Sequence, residues 1–211
     1  MGRPSSNKPC ARPRCQRGFT LIDVLVLIVL VGTVSGSMMM MFSRLAQQSA
    51  QSLRDRQTLA MAQTLLDEVR MMPMTYCDLQ DANAGGAGAA ALGGGNCTTT
   101  VDALGPEPGE GRYNPPATRF DGVSDYHGLA LPGPGCAGIC DAAGNPLNPA
   151  GSALAACTAQ ITTTPQAMPG VAALDVNGRP QALRIVVRVR CPGQADTVVD
   201  AVRMRFAPRG I

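Results

Sequence analysis

The first hydrophobic feature of the chain is a long uncharged segment close to its amino terminus. From Val24 to Phe42 no residue is charged, and Val, Leu, Ile and Met dominate. About 20 such residues, each rising roughly 1.5 Å in a helix, cross a hydrocarbon core of roughly 30 Å. The segment therefore predicts a membrane-spanning helix.

After this segment the pattern becomes amphipathic, and neither Gly nor Pro interrupts it before Pro73. Apolar residues recur near helical spacing between charged ones, at Ala46, Ala50, Leu53, Ala60, Leu65, Val69 and Met72. We predict one helix from Phe19 to about Met72, on the order of 80 Å long. Its membrane half is 19–42, and its amphipathic half, 43–72, packs against a head.

The rest of the chain, 73–211, predicts a head with long loops and few strands. Residues 83–96 form a Gly/Ala-rich stretch of low complexity, which predicts a flexible loop. Short strand candidates lie at Thr98–Asp102 and Thr158–Thr163, separated by a long region rich in Pro and Gly. The middle of the head is therefore expected to be irregular.

The clearest strand pattern lies near the carboxyl terminus. In Leu183–Cys191 apolar and mostly basic residues alternate, and Pro192-Gly193 then opens a turn. A second strand, Thr197–Phe206, carries one apolar face of Val198, Val202, Met204 and Phe206. The basic residues that alternate in Leu183–Cys191 form an arginine stripe. This stripe is either a binding patch for an acidic neighbour or a solvated sheet face, and the solvated face is the commoner case. We predict an α+β fold in which the long amino-terminal helix packs on a small antiparallel sheet.

Positive charge is concentrated before the apolar segment. Five basic residues and no acidic one precede Phe19, namely Arg3, Lys8, Arg12, Arg14 and Arg17. Without these five, 13 of the 18 basic residues remain, against 15 acidic ones. Residues 19–211 therefore have a formal net charge of −2. The positive-inside rule keeps the basic end cytoplasmic and predicts that the head is exported. Because no basic patch or aromatic platform remains, we do not expect nucleic-acid binding.

Six cysteines follow the apolar segment, at Cys77, Cys97, Cys136, Cys140, Cys157 and Cys191. An even number in an oxidising compartment favours disulfides, although their connectivity does not follow from sequence. A bond between Cys77 and Cys97 would close the Gly-rich loop. Zinc is the alternative, but Cys136-x3-Cys140 has no second closely spaced pair and the single histidine, His127, has no companion. We therefore predict disulfides and no metal.

The start of the apolar segment is the most informative stretch, Arg17-Gly18-Phe19-Thr20-Leu21-Ile22-Asp23. An ordinary secretory signal peptide has a shorter apolar region and a small-residue cleavage site after it, whereas here the small residue comes first. The stretch resembles the type IV prepilin family, in which a prepilin peptidase cuts after the glycine and methylates the new terminal phenylalanine. The resemblance implies a cleaved leader, 1–18, and N-methylation of Phe19 after cleavage between Gly18 and Phe19.

By the same resemblance Asp23 occupies the position of an acidic residue that is usually glutamate in the family. A carboxylate costs roughly 2.5–3.5 kcal/mol at the centre of an apolar span, and such groups are normally retained with a partner. The free amino terminus of Phe19 in a neighbouring subunit is such a partner, because opposite charges couple strongly in an apolar environment. The other interpretation is that Asp23 lies at headgroup depth and is solvated.

Three further stretches, 62–68, 120–129 and 204–208, resemble MshD-like or PilV-like minor pilins. They are AQTLLDE, FDGVSDYHGL and MRFAP. For 120–129 an ordinary loop rich in turn-forming residues is the alternative. The resemblance implies a pilin-like minor subunit of a type IV, MSHA-like pilus, which primes the fibre, lies at its tip or modifies cell adhesion. A pseudopilin of a type II secretion system shares the same leader and helix and is the alternative function.

The expected partners follow from this resemblance. They are prepilin peptidase, other major and minor pilins, and the inner-membrane assembly platform. The chain is expected to cross the bacterial inner membrane once, with a periplasmic head, and to reach the pilus or cell surface after assembly. An enzyme is not expected, because there is one histidine, no nucleophile-elbow pattern and no convincing pair of carboxylates. No cofactor is expected either.

Overall fold

The computed structural model describes residues 20–84, 97–98, 101–148, 150–174 and 179–205. The predicted leader, Phe19 and most of the predicted Gly-rich loop lie outside them. The chain divides into two compact units, Met1–Ser49 and Ala50–Ile211. Helix α1, Leu21–Met71, begins in the first unit and ends in the second. Four strands follow it: β1 Ala130–Leu131, β2 Thr158–Pro165, β3 Ala182–Arg190 and β4 Thr197–Met204.

Helix α1 is 51 residues long, as the uninterrupted helical pattern predicted. It ends at Met71, two residues before Pro73. Proline has no amide hydrogen and disfavours helical geometry in the residue before it, so the end of the helix follows from local sequence. Arg70 lies in the last turn, where a positive charge is favourable beside the unpaired carbonyl groups.

The described part of the first unit consists of Thr20 and the first part of α1, and all of its residues from Leu21 to Ser49 are exposed. The most apolar 18-residue window of the helix has a mean hydropathy of 2.3 and contains no buried residue. By length and composition, α1 is the one helix among the described residues that could cross a membrane.

The second unit contains one antiparallel sheet in the order β1-β2-β3-β4. Strands β2 and β3 pair over eight residues, from Thr158 opposite Arg190 to Pro165 opposite Leu183. The chain then turns at Gly193, which has a φ of 75° that favours glycine, and β4 pairs with β3. The predicted α+β class, with a long amino-terminal helix and a small antiparallel sheet, is confirmed.

Among the described residues, the larger of two hydrophobic clusters combines the later part of α1 with the sheet, and the smaller one contains Tyr76 and Cys77. The buried stripe of α1 has spacings of three and four residues, at Thr58, Met61, Ala62, Leu65, Leu66 and Val69. On β3 the apolar positions Ile185, Val187 and Val189 are at most 1% exposed, whereas the three arginines at alternate positions of the strand are exposed. The alternation in the sequence therefore predicted the buried face of β3.

Two strand details differ from the prediction, and a third is only partly described. Of the candidate at Thr98–Asp102, residues 99 and 100 lie outside the described residues, and Val101 forms a bridge with Cys77. The two-residue strand β1 was missed because it is too short to show alternation. On β4 the predicted apolar face is the exposed one, since Val198 and Val202 are 47% and 41% exposed while the alternate residues pack toward the core.

Candidate functional site

The amino-terminal end of α1 is closed by a reciprocal cap between Thr20 and Asp23. The amide and the hydroxyl of Thr20 donate to Oδ2 of Asp23 at 3.0 and 2.7 Å, and the Asp23 amide donates to the Thr20 hydroxyl at 3.3 Å. Such a cap satisfies amide groups that have no partner within the helix. Gly18 and Phe19, the predicted processing residues, lie outside the described residues.

Immediately after this cap, the surface of α1 is apolar on all sides. Every residue from Val24 to Phe42 is exposed in the first unit and none is charged. A helix that is hydrophobic all round is buried in a large core or in a membrane. The first unit therefore has the properties of a membrane anchor, with Asp23 as the only ionisable group between Leu21 and Phe42.

The six predicted cysteines form three disulfide bonds. Cys77 bonds to Cys97, Cys136 to Cys140 and Cys157 to Cys191. The first is the bond that the sequence analysis considered for closing the Gly-rich loop. The third extends the pairing of β2 and β3, because Thr158 lies opposite Arg190 and the two cysteines are the next residues along. The prediction of disulfides is confirmed.

The stretch 120–129, which resembles minor pilins, is mostly buried. The carboxylate of Asp125 accepts hydrogen bonds from the amides of Asp121 and Gly122 at 2.9 and 2.7 Å. The ring of Phe120 meets the ring of Tyr126 edge-on at 5.3 Å. The backbone of Gly128 donates to Ile161 on β2 at 3.1 Å. The stretch is therefore a packed junction inside the head, built from bends, turns and one short 3-10 helix.

Glu68 on α1 forms a buried ion pair with Arg112 and a hydrogen bond with this junction. The side chains of Arg112 and Glu68 are 3% and 7% exposed and meet through two hydrogen bonds, one of them at 2.7 Å. Glu68 also accepts a hydrogen bond from the Tyr126 hydroxyl at 2.9 Å. Burial opposes the charge of Arg112, but the hydrogen bonds and negative charge of Glu68 outweigh it and raise the pKa of Arg112. Burial also raises the pKa of Tyr126.

The structure also brings together a carboxylate cluster that the sequence analysis missed. Its members come from three loop segments and are Asp78, Asp102, Glu107, Glu110, Asp121 and Asp125. Two triads share Glu107: one adds Asp78 and Glu110, and the other adds Asp102 and Asp125. Within each triad, one carboxylate oxygen atom from each residue lies within 4.8 Å of the other two. The hydroxyl of Ser124 donates to Asp102. The cluster was not expected from the sequence, because its members come from segments far apart along the chain.

Burial is the main reason why four carboxyl groups of this cluster have raised pKa values. It raises the pKa of Asp102 and of Glu110 to about 7, and the pKa of Asp121 and of Asp125 to about 6. The neighbouring negative charges add to these increases, whereas the hydrogen bond from Ser124 lowers the pKa of Asp102. The cluster therefore carries fewer negative charges near neutral pH than its composition suggests.

Carboxylate oxygens at this spacing are the ligand type that Ca²⁺ takes. Acidic groups also meet in proteins without a metal, and hydrogen bonds within the cluster account for its geometry. We therefore assign no ion to it. The sequence did contain a signal, because the stretch from Cys77 to Tyr126 has seven acidic residues and two basic ones.

The arginine stripe of β3 pairs with one aspartate on β4 and one in the turn that precedes it. Arg184 meets Asp200 at 3.0 Å, and Arg188 and Arg190 meet Asp196 at 3.4 and 2.9 Å. All of these side chains are well exposed, so the pairs contribute little to stability. The stripe corresponds to the solvated sheet face considered in the sequence analysis.

Comparison with protein-family models, with curated proteins and with solved structures found no match in any of the three.

Proposed function

We propose that the chain is a minor subunit of a type IV pilus-like fibre, of the MSHA-like class. A prepilin peptidase removes residues 1–18 and methylates Phe19. The apolar first part of α1 holds the subunit in the bacterial inner membrane and later packs among the helices of other pilins. The head is exported, and the assembly platform supplies the work of extraction.

One observation carries this proposal. The exposed apolar segment of α1 and the helical stripe that completes the core of the head belong to one uninterrupted helix, Leu21–Met71. A removable signal peptide has no reason to continue into the core of the domain it exports. A retained anchor does, and a pilin-like subunit uses such an anchor twice, first in the membrane and then in the fibre.

The first test is the mass and amino-terminal sequence of the mature protein, expressed with and without a prepilin peptidase. We expect a chain that starts at N-methylated Phe19, and an intact Met1 when the peptidase is absent. Gly18→Val should block cleavage because a bulky side chain replaces the small residue at the scissile bond, whereas Gly2→Val in the same leader should not. An uncleaved chain in the presence of the peptidase, or a mature start beyond Phe42, would overturn the proposal.

A second test separates the two roles open to Asp23. Asp23→Asn keeps a side-chain oxygen that can accept the hydrogen bonds from Thr20 but loses the charge. If the carboxylate pairs with the amino terminus of a neighbour, recovery of Asp23→Asn in sheared fibres should fall by on the order of tenfold, because an unpaired ammonium is costly in an apolar core. Asp23→Glu should retain incorporation. Normal incorporation of Asp23→Asn would show that Asp23 acts as a helix cap and that its charge is not needed for assembly.

The same preparations distinguish a pilus subunit from a pseudopilin of a type II secretion system. A minor pilin is recovered with purified surface fibres. Recovery only with an envelope-spanning secretion complex, together with a secretion defect when the chain is deleted, would assign it to the alternative.

A further inference from the structure

We propose that the free edge of β4 is a docking site for an extended segment of a partner protein, which joins the four-stranded sheet as a further strand. This inference concerns the second unit alone and does not depend on the pilin assignment. Strand β4 is the last in the sheet order, so one of its sides has no neighbouring strand. Its exposed residues form the site, and we call them the β4 edge: Val198, Asp200, Val202 and Met204.

The main-chain groups of the β4 edge point away from β3. In the ladder between these strands the amide of Arg205 donates to the carbonyl of Gln181 at 3.0 Å, which continues the pairing of Ala182 with Met204 by one residue. Because hydrogen-bonded pairs alternate along an antiparallel ladder, the odd-numbered residues of β4 bond to β3 and the even-numbered ones point outward. No backbone hydrogen bond among the described residues reaches this outward row of amides and carbonyls.

The side chains of the same residues make this edge apolar. Val198, Val202 and Met204 are 47%, 41% and 44% exposed, on the face of the sheet that lies opposite the core. The solvent face of an antiparallel sheet is normally polar, and edge strands often contain a proline or a bulge that prevents pairing. Strand β4 has neither, and its eight residues keep one continuous register with β3. Apolar side chains beside open main-chain groups are the features that bind an added strand.

The opposite edge of the sheet lacks these features. Strand β1 has only two residues, and Pro132 follows it without an amide hydrogen to donate. The side chain of Leu131 on β1 is buried, at 3% exposed. Proteins keep sheet edges short or covered because an open edge pairs with other chains. One edge of this sheet is closed in that way while the other stays open, which favours a docking role for β4.

The β4 edge also defines the chemistry of its partner. Oδ2 of Asp200 accepts a hydrogen bond from Arg184 at 3.0 Å, and the side chain is 48% exposed, so Oδ1 can accept from a further donor. The complementary segment has apolar residues opposite the three apolar members of the edge and a hydroxyl, amide or basic side chain opposite Asp200. A second copy of β4 would place a valine, a methionine or another aspartate there, and none of these side chains donates. The occupant is therefore a strand of different sequence.

The test uses the full chain in the membranes of the cells that produce it, with the photo-crosslinker p-benzoylphenylalanine at Val198 or at Val202. These two positions are four residues apart on one face of β4. Since paired strands advance together, their attachment points should lie about four residues apart on one partner segment of the stated pattern. Mass spectrometry of the crosslinked peptides locates both points. The same crosslinker at Thr164, an exposed residue on the same face of β2, is the control and should not capture this segment.

A proline variant tests the contribution of the main chain. Val202→Pro removes an amide hydrogen that points outward, so it should keep the ladder with β3 and change the melting midpoint by only a few degrees. It should lower crosslinking from Val198 by about tenfold, because one hydrogen bond is lost and the ring blocks the approach of a strand. Val202→Ala keeps the amide and is the matched control, which should retain most of the crosslinking.

A second variant keeps the test decisive if Val202→Pro does not fold. Val202→Lys places a charge at an exposed position of the edge and should also suppress crosslinking from Val198, whereas Thr164→Lys on the same face should not. Attachment points on a second copy of β4 would reject a partner of different sequence. Attachment points without the spacing of a strand, or no capture beyond that at Thr164, would overturn the proposal.

Discussion

The carboxylates of the head are the residues whose surroundings change their chemistry most. In the folded chain the pKa of Asp102 is about 7 and that of Asp125 about 6, whereas an unfolded aspartate titrates near 4. The folded state therefore binds more protons than the unfolded state between about pH 4 and pH 7. The stability that these carboxyl groups contribute is complete below the unfolded pKa and is lost as pH rises through the folded pKa.

We therefore expect the free energy of unfolding of the head to decrease as the pH rises from about 5 to about 8. The measurement is a denaturant titration followed by circular dichroism at several pH values. Asp102→Asn should flatten this dependence, since a group that cannot ionise takes no part in it. Asp55→Asn, at an exposed position on α1, is the control and should leave the slope unchanged. Stability that rises over this range in the wild-type chain would contradict the argument.

At the scale of elements, the disulfides differ in the length of chain that each one closes. Cys157 and Cys191 are 34 residues apart and join the ends of β2 and β3, whereas Cys136 and Cys140 are four apart. A crosslink restricts the unfolded chain more when the loop is longer. The entropic contribution is about 4 kcal/mol for the longer loop and about 2 kcal/mol for the shorter one.

Replacing both cysteines of a bond with alanine should therefore cost more at Cys157–Cys191 than at Cys136–Cys140. We expect a difference of about 2 kcal/mol in the free energy of unfolding, measured by denaturant titration of the two double variants. Equal losses would show that native contacts, and not the length of the closed loop, determine the contribution of each bond.

The regular elements could be predicted because local sequence determines them. Pro73 ended α1, the alternation in Leu183–Cys191 marked the buried face of β3, and Gly193 marked the turn before β4. The contacts between loops could not be predicted in the same way. Glu68 and Arg112 are 44 residues apart, and the described residues between α1 and Arg112 contain no helix or strand to indicate that they meet.

The carboxylate cluster shows the same limit at the candidate site. Glu107 lies near Glu110 and Asp121 near Asp125 in sequence, but the two pairs, Asp78 and Asp102 are separated by at least five residues from one another. Asp23 was easier to predict as a candidate residue, because a single acidic residue before an uncharged helical segment is evident from composition alone. Its cap with Thr20 was nevertheless missed, although a threonine three residues before an acidic residue is a recognised start signal for a helix.

At the scale of the whole molecule, the apolar surface of the first unit should decide where the chain resides. Leu27→Arg places a charge in the apolar segment and should weaken insertion by about 3 kcal/mol. The variant should move partly from the membrane fraction to the soluble or degraded fraction after alkaline extraction. Leu53→Arg, at an exposed position on the later part of α1, is the matched control and should stay with the membranes.

The buried positions of α1 all lie from Thr58 onward, and its most apolar stretch lies before Ser43. Random mutagenesis of this one helix should therefore yield two non-overlapping classes of alleles. Early substitutions should leave the head resistant to protease yet mislocalised, whereas late ones should leave it in place but sensitive to protease. A defect in either property could then be assigned to its half of the helix from the phenotype alone.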